Sequence, residues 1–465
     1  MEKQENLRYV YKITFVAAVG GLLFGYDTAV VAGAIGFIQQ KFDLSAAMMG
    51  WIASCALIGC VVGAMFSGYL SDKLGRKKVL ILSAILFLVS SLGTAIPQSL
   101  SFFVVFRIIG GLGIGIASMI SPMYITECAP AGIRGRLVSI NQLGIVTGIL
   151  LIYFVNAGIA GLHDEAWNID TGWRWMFGSG VFPSVVFLIL LFFVPESPRW
   201  LAQVGRTVEA KDVLTRINGE ENAQQELSEI RNAINSEKSS FAELFKPGLR
   251  TALFIGIVLA IFSQVTGINA IMYYAPEIFK STGDGSSSAL MQTVLVGIVN
   301  LLFTIVAIKY ADKAGRKGLL LAGAGGMSIC LAIIGAAFYF GALKGYLVLI
   351  AILAYIAFFA LSLGPITFVV IAEIFPNRVR GRAMSICLFF LWTSVYFVSQ
   401  FFPVLLESIG SAYTFWIFML TSIIAFLFVW KVVPETKGKS LEEIERNWHK
   451  KKAKIVSLPV AEKLT

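Results

Sequence analysis

Long apolar blocks separated by short polar segments follow one another along nearly the whole chain. Each block has about 20 residues or more, the length that an α-helix needs to cross the hydrocarbon core of a bilayer, about 30 Å thick. Backbone polar groups in lipid find partners only within their own segment, so the blocks are predicted to be helices. The twelve predicted spans are 13–36, 48–70, 79–97, 102–126, 137–160, 175–194, 251–275, 289–308, 318–340, 346–372, 383–404 and 414–430.

The composition and the charge distribution agree with an all-α membrane protein. Hydrophobic residues make up 57% of the chain and charged residues 14%, whereas soluble proteins carry about 25% charged residues. Of the 38 Lys and Arg, 33 lie in one alternating set of connecting segments, and only Lys41, Arg174, Lys280 and Lys344 lie in the opposite set. The positive-inside rule therefore predicts that both termini are cytoplasmic. Because the charge is divided among separate loops, no nucleic-acid partner is expected.

Two phrases of the sequence occur twice. Residues 127–136, Glu-Cys-Ala-Pro-Ala-Gly-Ile-Arg-Gly-Arg, return with changes at 373–382, and Asp-Lys-Leu-Gly-Arg-Lys of 72–77 returns at 312–317 with Ala in place of Leu. The two repeats have nearly the same separation, about half the chain, which indicates a duplication. Two parallel six-helix repeats around a site at the bilayer midplane are the architecture of major facilitator transporters.

The repeat divides the chain into four predicted parts. Residues 1–194 form an N-terminal six-helix bundle and residues 251–433 a C-terminal one. Residues 195–250 are polar with helical spacing of their apolar positions, and they are predicted to be a cytoplasmic helical linker. Residues 434–465 are predicted to be a cytoplasmic tail.

Two ionisable residues lie well inside the predicted spans. Asp27 is past the middle of the first span and Arg107 is in the fourth. Their depths, counted at about 1.5 Å per residue, are compatible with a contact. A static buried salt bridge is one interpretation. The other is a proton switch, because burial raises the pKa of a carboxylate and a nearby Arg lowers it, so that moving Arg107 would load or release a proton on Asp27.

Other charged residues cluster where the helices meet the predicted cytoplasmic surface, in both repeats. They are predicted to be a gate that holds the inner side shut, with a purely topological role as the alternative. The predicted gate residues are Asp72, Arg76, Glu127, Arg134, Glu196, Asp312, Arg316, Glu373, Arg380 and Glu435.

Several polar side chains interrupt otherwise apolar spans and are predicted to line a central cavity. Amides offer paired donors and acceptors for vicinal hydroxyl groups, and an indole offers an apolar face and one donor. These residues are Gln142, Gln264, Asn269, Asn300 and Trp392. Gly267 and Pro276, in or beside the seventh span, and Gly364-Pro365 of the tenth are predicted to interrupt their helices, as in transporters that expose backbone to a substrate.

Enzyme chemistry and a metal centre find no support in the sequence. The two histidines, His163 and His449, lie in a loop and in the tail, and the five cysteines have no metal-ligand spacing. No catalytic residue, metal or cofactor is predicted other than a proton as the coupling ion.

The sequence resembles the sugar porter family of major facilitator transporters over essentially its whole length, and among them the bacterial proton-linked pentose and hexose symporters of the xylose/proton type. The motifs that carry this resemblance are Gly20-Gly-Leu-Leu-Phe-Gly-Tyr-Asp27-Thr, Gly68-Tyr-Leu-Ser-Asp72-Lys-Leu-Gly-Arg76-Lys, Arg107-Ile-Ile-Gly-Gly, Pro195-Glu-Ser-Pro-Arg-Trp200, Gly267-Ile-Asn269-Ala-Ile-Met-Tyr273-Tyr274 and Pro434-Glu-Thr-Lys-Gly438.

The resemblance implies symport of a monosaccharide, a pentose such as D-xylose or a hexose, into the cell by alternating access. Asp27 matches the protonated carboxylate of the symporters and Arg107 its partner, whereas uncoupled relatives tend to have Asn in place of the acid. The amides and Trp392 match sugar-contacting positions. Further residues match positions that line the same cavity: Phe24, Tyr273, Tyr274, Gly364 and Phe368.

Three positions depart from the pattern of the family. Ser263 stands where many members have Gln, Phe368 where a Trp is frequent, and Leu391 where a polar residue is common. Each change removes or shortens a hydrogen-bonding group, which can alter selectivity strongly. A facilitative uniporter of a sugar or of a cyclic polyol such as inositol is therefore the alternative function, and a sugar sensor is a further one. The expected partners are a small sugar and the lipid bilayer, with the protein acting as a monomer in the cell membrane.

Overall fold

The computed structural model describes residues 2–96, 99–236, 241–246, 249–343 and 346–437, and every regular element within these ranges is helical. The predicted tail beyond residue 437 lies outside the described residues. The first half has six long helices: α1 (Glu2–Phe42), α2 (Ala46–Leu74), α3 (Arg76–Ala95), α4 (Leu100–Cys128), α5 (Arg134–Ala160) and α6 (Glu165–Phe192), the last with a π-helical turn at Asn168–Gly172.

Among the described residues, three short α-helices and a 3₁₀ helix at Phe241–Phe245 lie between the halves. The α-helices are α7 (Pro198–Gln203), α8 (Thr207–Asn218) and α9 (Glu220–Ser236). They share a small apolar core that includes Trp200, Leu214 and Leu227. The indole Nε1 of Trp200 donates a hydrogen bond to the carbonyl oxygen of Asp72 at 2.9 Å, which fixes this linker beneath the N-terminal half. The linker is thus helical as predicted, and its cytoplasmic location stays a prediction.

The second half begins with α10 (Leu249–Lys280), α11 (Ser286–Ala314), α12 (Arg316–Tyr339) and α13 (Leu347–Ile374). The final helical run, Asn377–Lys431, has 55 residues. Its one residue with non-helical dihedral angles is Gly410, with φ 82°. We therefore treat it as two helices, α14 before Gly410 and α15 after it, which carry the predicted spans 383–404 and 414–430. With this division, the part of the chain that the structure describes has twelve apolar helices, and the predicted all-α membrane fold is confirmed.

Two helices of the second half are broken inside the membrane. α10 breaks at Gly267, whose φ of 97° is in the left-handed region that glycine adopts without strain. α13 breaks at Ser362, between Leu361 and Leu363. The predicted interruption at Gly364-Pro365 therefore lies two residues late: Pro365 is in the first turn of the new helix, where its missing N–H leaves no hydrogen bond unmade. Pro276, also predicted to interrupt its helix, lies within a continuous helical segment.

Glycines let the helices of the N-terminal half approach closely. A Cβ atom on Gly111 of α4 would lie 1.8 Å from the carbonyl oxygen of Ala56 in α2, and one on Gly59 of α2 would lie 2.1 Å from that of Ile108. Small residues of this kind allow backbones in a membrane to pack by van der Waals contact. The tight packing of α2 on α4 fixes the depth of Arg107, which lies one turn before Gly111.

Candidate functional site

Asp27 and Arg107 meet as an ion pair in the interior of the N-terminal half. Nη1 of Arg107 lies 3.1 Å from Oδ2 of Asp27, and both terminal nitrogens of the guanidinium lie 3.4 Å from the backbone oxygen of Asp27. The side chain of Arg107 is 2% exposed and that of Asp27 is 11% exposed. The acid is therefore the more exposed member of the pair.

The guanidinium of Arg107 is incompletely satisfied. Its Cζ lies 5.2 Å from the centre of the Phe177 ring, a cation–π distance, but its buried Nε has no hydrogen-bond partner among the residues described. A buried polar group without a partner costs about 1–3 kcal/mol, and more when it is charged. The pair therefore lacks the full set of hydrogen bonds expected of a purely static buried salt bridge.

Two amide side chains and a serine hydroxyl are linked by hydrogen bonds at the break of α10. Nδ2 of Asn269 donates to Oε1 of Gln264 at 2.6 Å, and Nε2 of Gln264 donates to Oγ of Ser263 at 3.0 Å. Gln264 is buried and Asn269 is partly exposed. The left-handed turn at Gly267 brings the two amides together, since they lie on either side of it.

Trp392 of α14 faces Phe24 of α1 across the interface between the halves. Their ring centres are 5.5 Å apart with a tilt of 51°. Trp392 is 4% exposed, and its Nε1 has no hydrogen-bond partner in the described structure. An aromatic surface with an unused donor at its edge suits a ring that carries hydroxyl groups.

The other predicted cavity residues differ in their surroundings. Tyr273 and Asn300 are buried, and Gln142 is partly exposed. The hydroxyl of Tyr274 donates to the backbone oxygen of Ser399 at 3.0 Å, so this side chain also ties α10 to α14. Gly364 lies in the first turn after the break in α13. Phe368 borders a small pocket lined only by apolar and sulfur-containing side chains: Ala260, Ile371, Met384, Cys387, Leu388 and Leu391.

A cluster of charges ties the helices of the N-terminal half at their predicted cytoplasmic ends. Arg76 binds Glu127 through two parallel hydrogen bonds, Nε to Oε2 at 2.9 Å and Nη2 to Oε1 at 3.0 Å. Its Nη1 also lies 3.3 Å from Oδ1 of Asp72. The carboxylate of Glu196 accepts backbone N–H groups of Arg76 and Lys77 at the start of α3, a favourable position for a negative charge.

The C-terminal half repeats this cluster. Nη2 of Arg316 lies 2.9 Å from Oε1 of Glu373, and Glu435 accepts the backbone N–H groups of Arg316 and Lys317 at the start of α12. Burial alone would raise the pKa of Glu435. The hydrogen bonds from the backbone N–H groups of Lys437, Arg316, Lys317 and Thr436 outweigh it and lower the pKa below its ordinary value.

Sequence reasoning missed the hydroxyl that completes each cluster. Oγ of Ser197 donates to Glu127, and Oγ1 of Thr436 donates to Glu373 at 2.5 Å. Both hydroxyls follow the repeated dipeptide Pro-Glu, at 195–196 and 434–435. The repeated dipeptide is visible in the sequence, but only the tertiary structure places the two segments against α4 and α13.

Each of these contacts joins residues of one half. Arg134 and Arg380, the remaining predicted gate residues, donate to the backbone oxygens of Ala129 and Phe375 in their own halves. The side chain of Asp312 lies outside the described residues. The predicted role of the clusters as a gate stays a prediction, since a closed gate requires contacts between the halves.

Three polar contacts between the halves lie toward the helix ends opposite to the charge clusters. The Gln400 side chain of α14 accepts from Oγ of Ser54 at 2.9 Å and donates to the backbone oxygen of Ala47 at 3.0 Å, both in α2. The hydroxyl of Tyr153 in α5 donates to the backbone oxygen of Met272 in α10 at 2.7 Å. The halves are thus joined at the side opposite to the charge clusters.

Comparisons with known proteins agree with this arrangement. Residues 13–448 match the family model described as "Sugar (and other) transporter". The chain is 48% identical to the arabinose-proton symporter of Bacillus subtilis (strain 168) over 449 residues, covering 96% of this chain and 97% of the relative. It is 43% identical to the D-xylose-proton symporter of Escherichia coli (strain K12), with the same coverage of both chains.

Among solved structures, the inward-open conformation of the xylose transporter XylE from E. coli matches with a TM-score of 0.84 and 42% identity, over 95% of this chain and all of that one. Because the family model and both relatives span almost the entire chain, the resemblance rests on the whole fold and not on a single motif. The chain belongs to the sugar transporter family.

Proposed function

We propose that this protein carries a monosaccharide together with a proton into the cell by alternating access. Protonation of Asp27 from outside weakens its attraction to Arg107 and permits sugar binding and closure. Opening to the inside then releases sugar and proton. One proton moving inward gains about 2.3 kcal/mol per 100 mV of membrane potential, which supports roughly fifty-fold accumulation of a neutral sugar.

The observation that carries the proposal is the buried ion pair of Asp27 and Arg107. The carboxylate of Asp27 and the guanidinium of Arg107 attract each other across 3.1 Å in the interior of the bundle. Once the carboxyl is protonated, the attraction between opposite charges is lost and the pair can separate. The partial exposure of Asp27, compared with that of Arg107, supports proton entry at the acid.

We assign the sugar site to the space between the halves bordered by Phe24, Trp392, Gln264 and Asn269. The rings of Phe24 and Trp392 face each other across the interface, the two amides are hydrogen-bonded at the break of α10, and Nε1 of Trp392 has no hydrogen-bond partner among the described residues. Ser263, Phe368 and Leu391 offer fewer or shorter hydrogen-bonding groups than the residues frequent at these positions in the family. A pentose, which has one hydroxymethyl group fewer than an aldohexose, is the substrate class that suits this loss, and the two relatives named above are symporters of pentoses.

In this proposal the two charge clusters form the cytoplasmic gate when the halves close on that side. Both termini are cytoplasmic, as the positive-inside distribution predicts. The protein spans the cell membrane as a monomer, since the site lies between the two halves of one chain.

The test is uptake of labelled xylose, arabinose, glucose, galactose and inositol into proteoliposomes, with and without an inward proton gradient. We expect accumulation of a pentose that collapses when the gradient is dissipated. Uptake that equilibrates without accumulating, whatever the gradient, would instead establish the facilitative uniporter. Accumulation of inositol alone would contradict the assignment of a pentose.

A further inference from the structure

A serine of α3 lies beside the ion pair with nothing to bond to. Ser90 is fully buried, and its Oγ has no hydrogen-bond partner among the described residues. Buried hydroxyls on membrane helices commonly donate to a carbonyl oxygen one turn earlier, as Thr94 does to Ser90 and Thr28 does to Phe24. Ser90 departs from that habit, so its hydroxyl remains available to another group.

Ser90 and the acid both lie next to Gly110 of α4. A Cβ atom on Gly110 would lie 2.4 Å from Oγ of Ser90 and 3.4 Å from Oδ2 of Asp27. Both oxygens therefore border one small space that glycine leaves open. Oδ2 is also the oxygen that faces Nη1 of Arg107 at 3.1 Å, so the same carboxylate oxygen lies between the guanidinium and the serine.

The other ionisable groups around Asp27 are the guanidinium of Arg107 in α4, the thiols of Cys55 and Cys60 in α2, and the phenol of Tyr273 in α10. Thiols and phenols ordinarily titrate near pH 8.5 and 10, about four units or more above a carboxylic acid. Asp27 is the one carboxylic acid of this set, and the neutral carboxyl that forms in the proposed coupling needs an acceptor for its O–H.

We propose that Ser90 is a positioning residue for proton exchange, which accepts a hydrogen bond from the protonated carboxyl of Asp27 once the ion pair to Arg107 opens. A hydroxyl oxygen has two lone pairs and can accept where a guanidinium cannot. A hydrogen bond made to the neutral carboxyl favours the protonated form. Ser90 therefore stabilises the proton-loaded state and leaves the charged state, in which Arg107 is the partner, unchanged.

This inference rests on the proposed proton coupling and is tested by Ser90→Ala. We expect the pH at which proteoliposome uptake is half-maximal to move to lower pH by about half to one unit, since the loaded carboxyl loses its acceptor. The matched control is Ser91→Ala. Ser91 is the neighbouring buried serine, and its Oγ faces Gly180 of α6 instead of Asp27. Ser91→Ala should keep the midpoint of the parent protein.

Infrared difference spectroscopy provides a second readout that a packing defect would not imitate. The carbonyl stretch of protonated Asp27, identified by its loss in Asp27→Asn, should move to higher frequency in Ser90→Ala and stay in place in Ser91→Ala. An unchanged band and midpoint in Ser90→Ala, or equal shifts in both serine variants, would overturn the inference. If the parent protein showed no proton-driven uptake, the proposed function would fail, while the infrared band would still test the hydrogen bond.

Discussion

The two halves are alike at their charged ends and unlike inside the membrane. At the charged ends, an Arg, two Glu and a hydroxyl form the same hydrogen-bonded cluster in each half, Arg76 with Glu127 and Arg316 with Glu373. Inside, the N-terminal half has an ion pair on continuous helices. The C-terminal half instead has two helices broken at Gly267 and Ser362 and a series of amides.

This difference indicates that the two copies of the duplicated bundle have different roles. The clusters lie at helix ends and tie the helices of each half together. Both halves require such contacts if each is to move as a unit. The interiors of the two halves differ, because the ion pair of the first lies on continuous helices and the amides of the second are brought together by a helix break. We therefore expect proton coupling to belong to the N-terminal half and sugar affinity mainly to the C-terminal half.

The largest expected effect follows neutralisation of the acid in the N-terminal half. Asp27→Asn should abolish accumulation, a loss of roughly fifty-fold at 100 mV, because no group then carries the proton. Exchange of labelled for unlabelled sugar should continue. The matched control is Glu277→Gln in the C-terminal half, where the carboxylate pairs with Lys280 at 3.0 Å near the end of α10. Loss of accumulation in Glu277→Gln as well would end the assignment of coupling to one half.

The second effect concerns sugar binding by the C-terminal half. Trp392→Phe keeps a ring opposite Phe24 but removes the unused Nε1 donor, so the affinity for sugar should fall about tenfold. The pH midpoint of uptake should stay the same. Trp416→Phe is the control, because its Nε1 points to the backbone oxygen of Ala332 in α12. A shifted pH midpoint with unchanged affinity in Trp392→Phe would contradict the division of work.

The third prediction compares the two clusters directly. Arg76 and Glu127 have side chains 5% and 9% exposed, whereas Arg316 and Glu373 are 11% and 31% exposed. Removing Arg76 leaves a nearly buried carboxylate without its positive partner, so Arg76→Ala should cost about 3 kcal/mol, and Arg316→Ala about 1 kcal/mol because solvent compensates Glu373. Thermal unfolding in detergent measures which variant loses more stability, and a larger loss of stability for Arg316→Ala would contradict the prediction.

The smallest effect is a pH dependence of the cluster in the C-terminal half. The pKa of Glu435 is lowered from its ordinary value of 4.5, so its contribution to stability is complete above that value and is lost as the pH falls through the lower pKa of the folded state. Glu435→Gln should flatten the acid end of a plot of unfolding temperature against pH and lie below the parent near neutral pH. Coincident curves for the two proteins would show that the carboxylate contributes nothing.

The sequence alone determined the twelve spans, the duplication and the two residues of the ion pair. Each depends on a local property: a helix in lipid must satisfy its own backbone, so apolar length reports it, and a charge inside such a span is visible at once. The depths of Asp27 and Arg107 followed from the rise of a helix, and the structure brings the two residues together as expected.

Only the tertiary structure decided which distant groups meet. Three features depend on packing between segments far apart in the chain. They are the break of α13 at Ser362 instead of Gly364, the occurrence of the cluster contacts described above within single halves, and the contact of Gln400 with α2. The unused hydroxyl of Ser90 belongs to the same class, because a serine in a helix differs from its neighbours only through what the facing helices offer it. Hydrogen bonds are short and directional, so a one-dimensional pattern predicts that a polar group needs a partner but not which group supplies it.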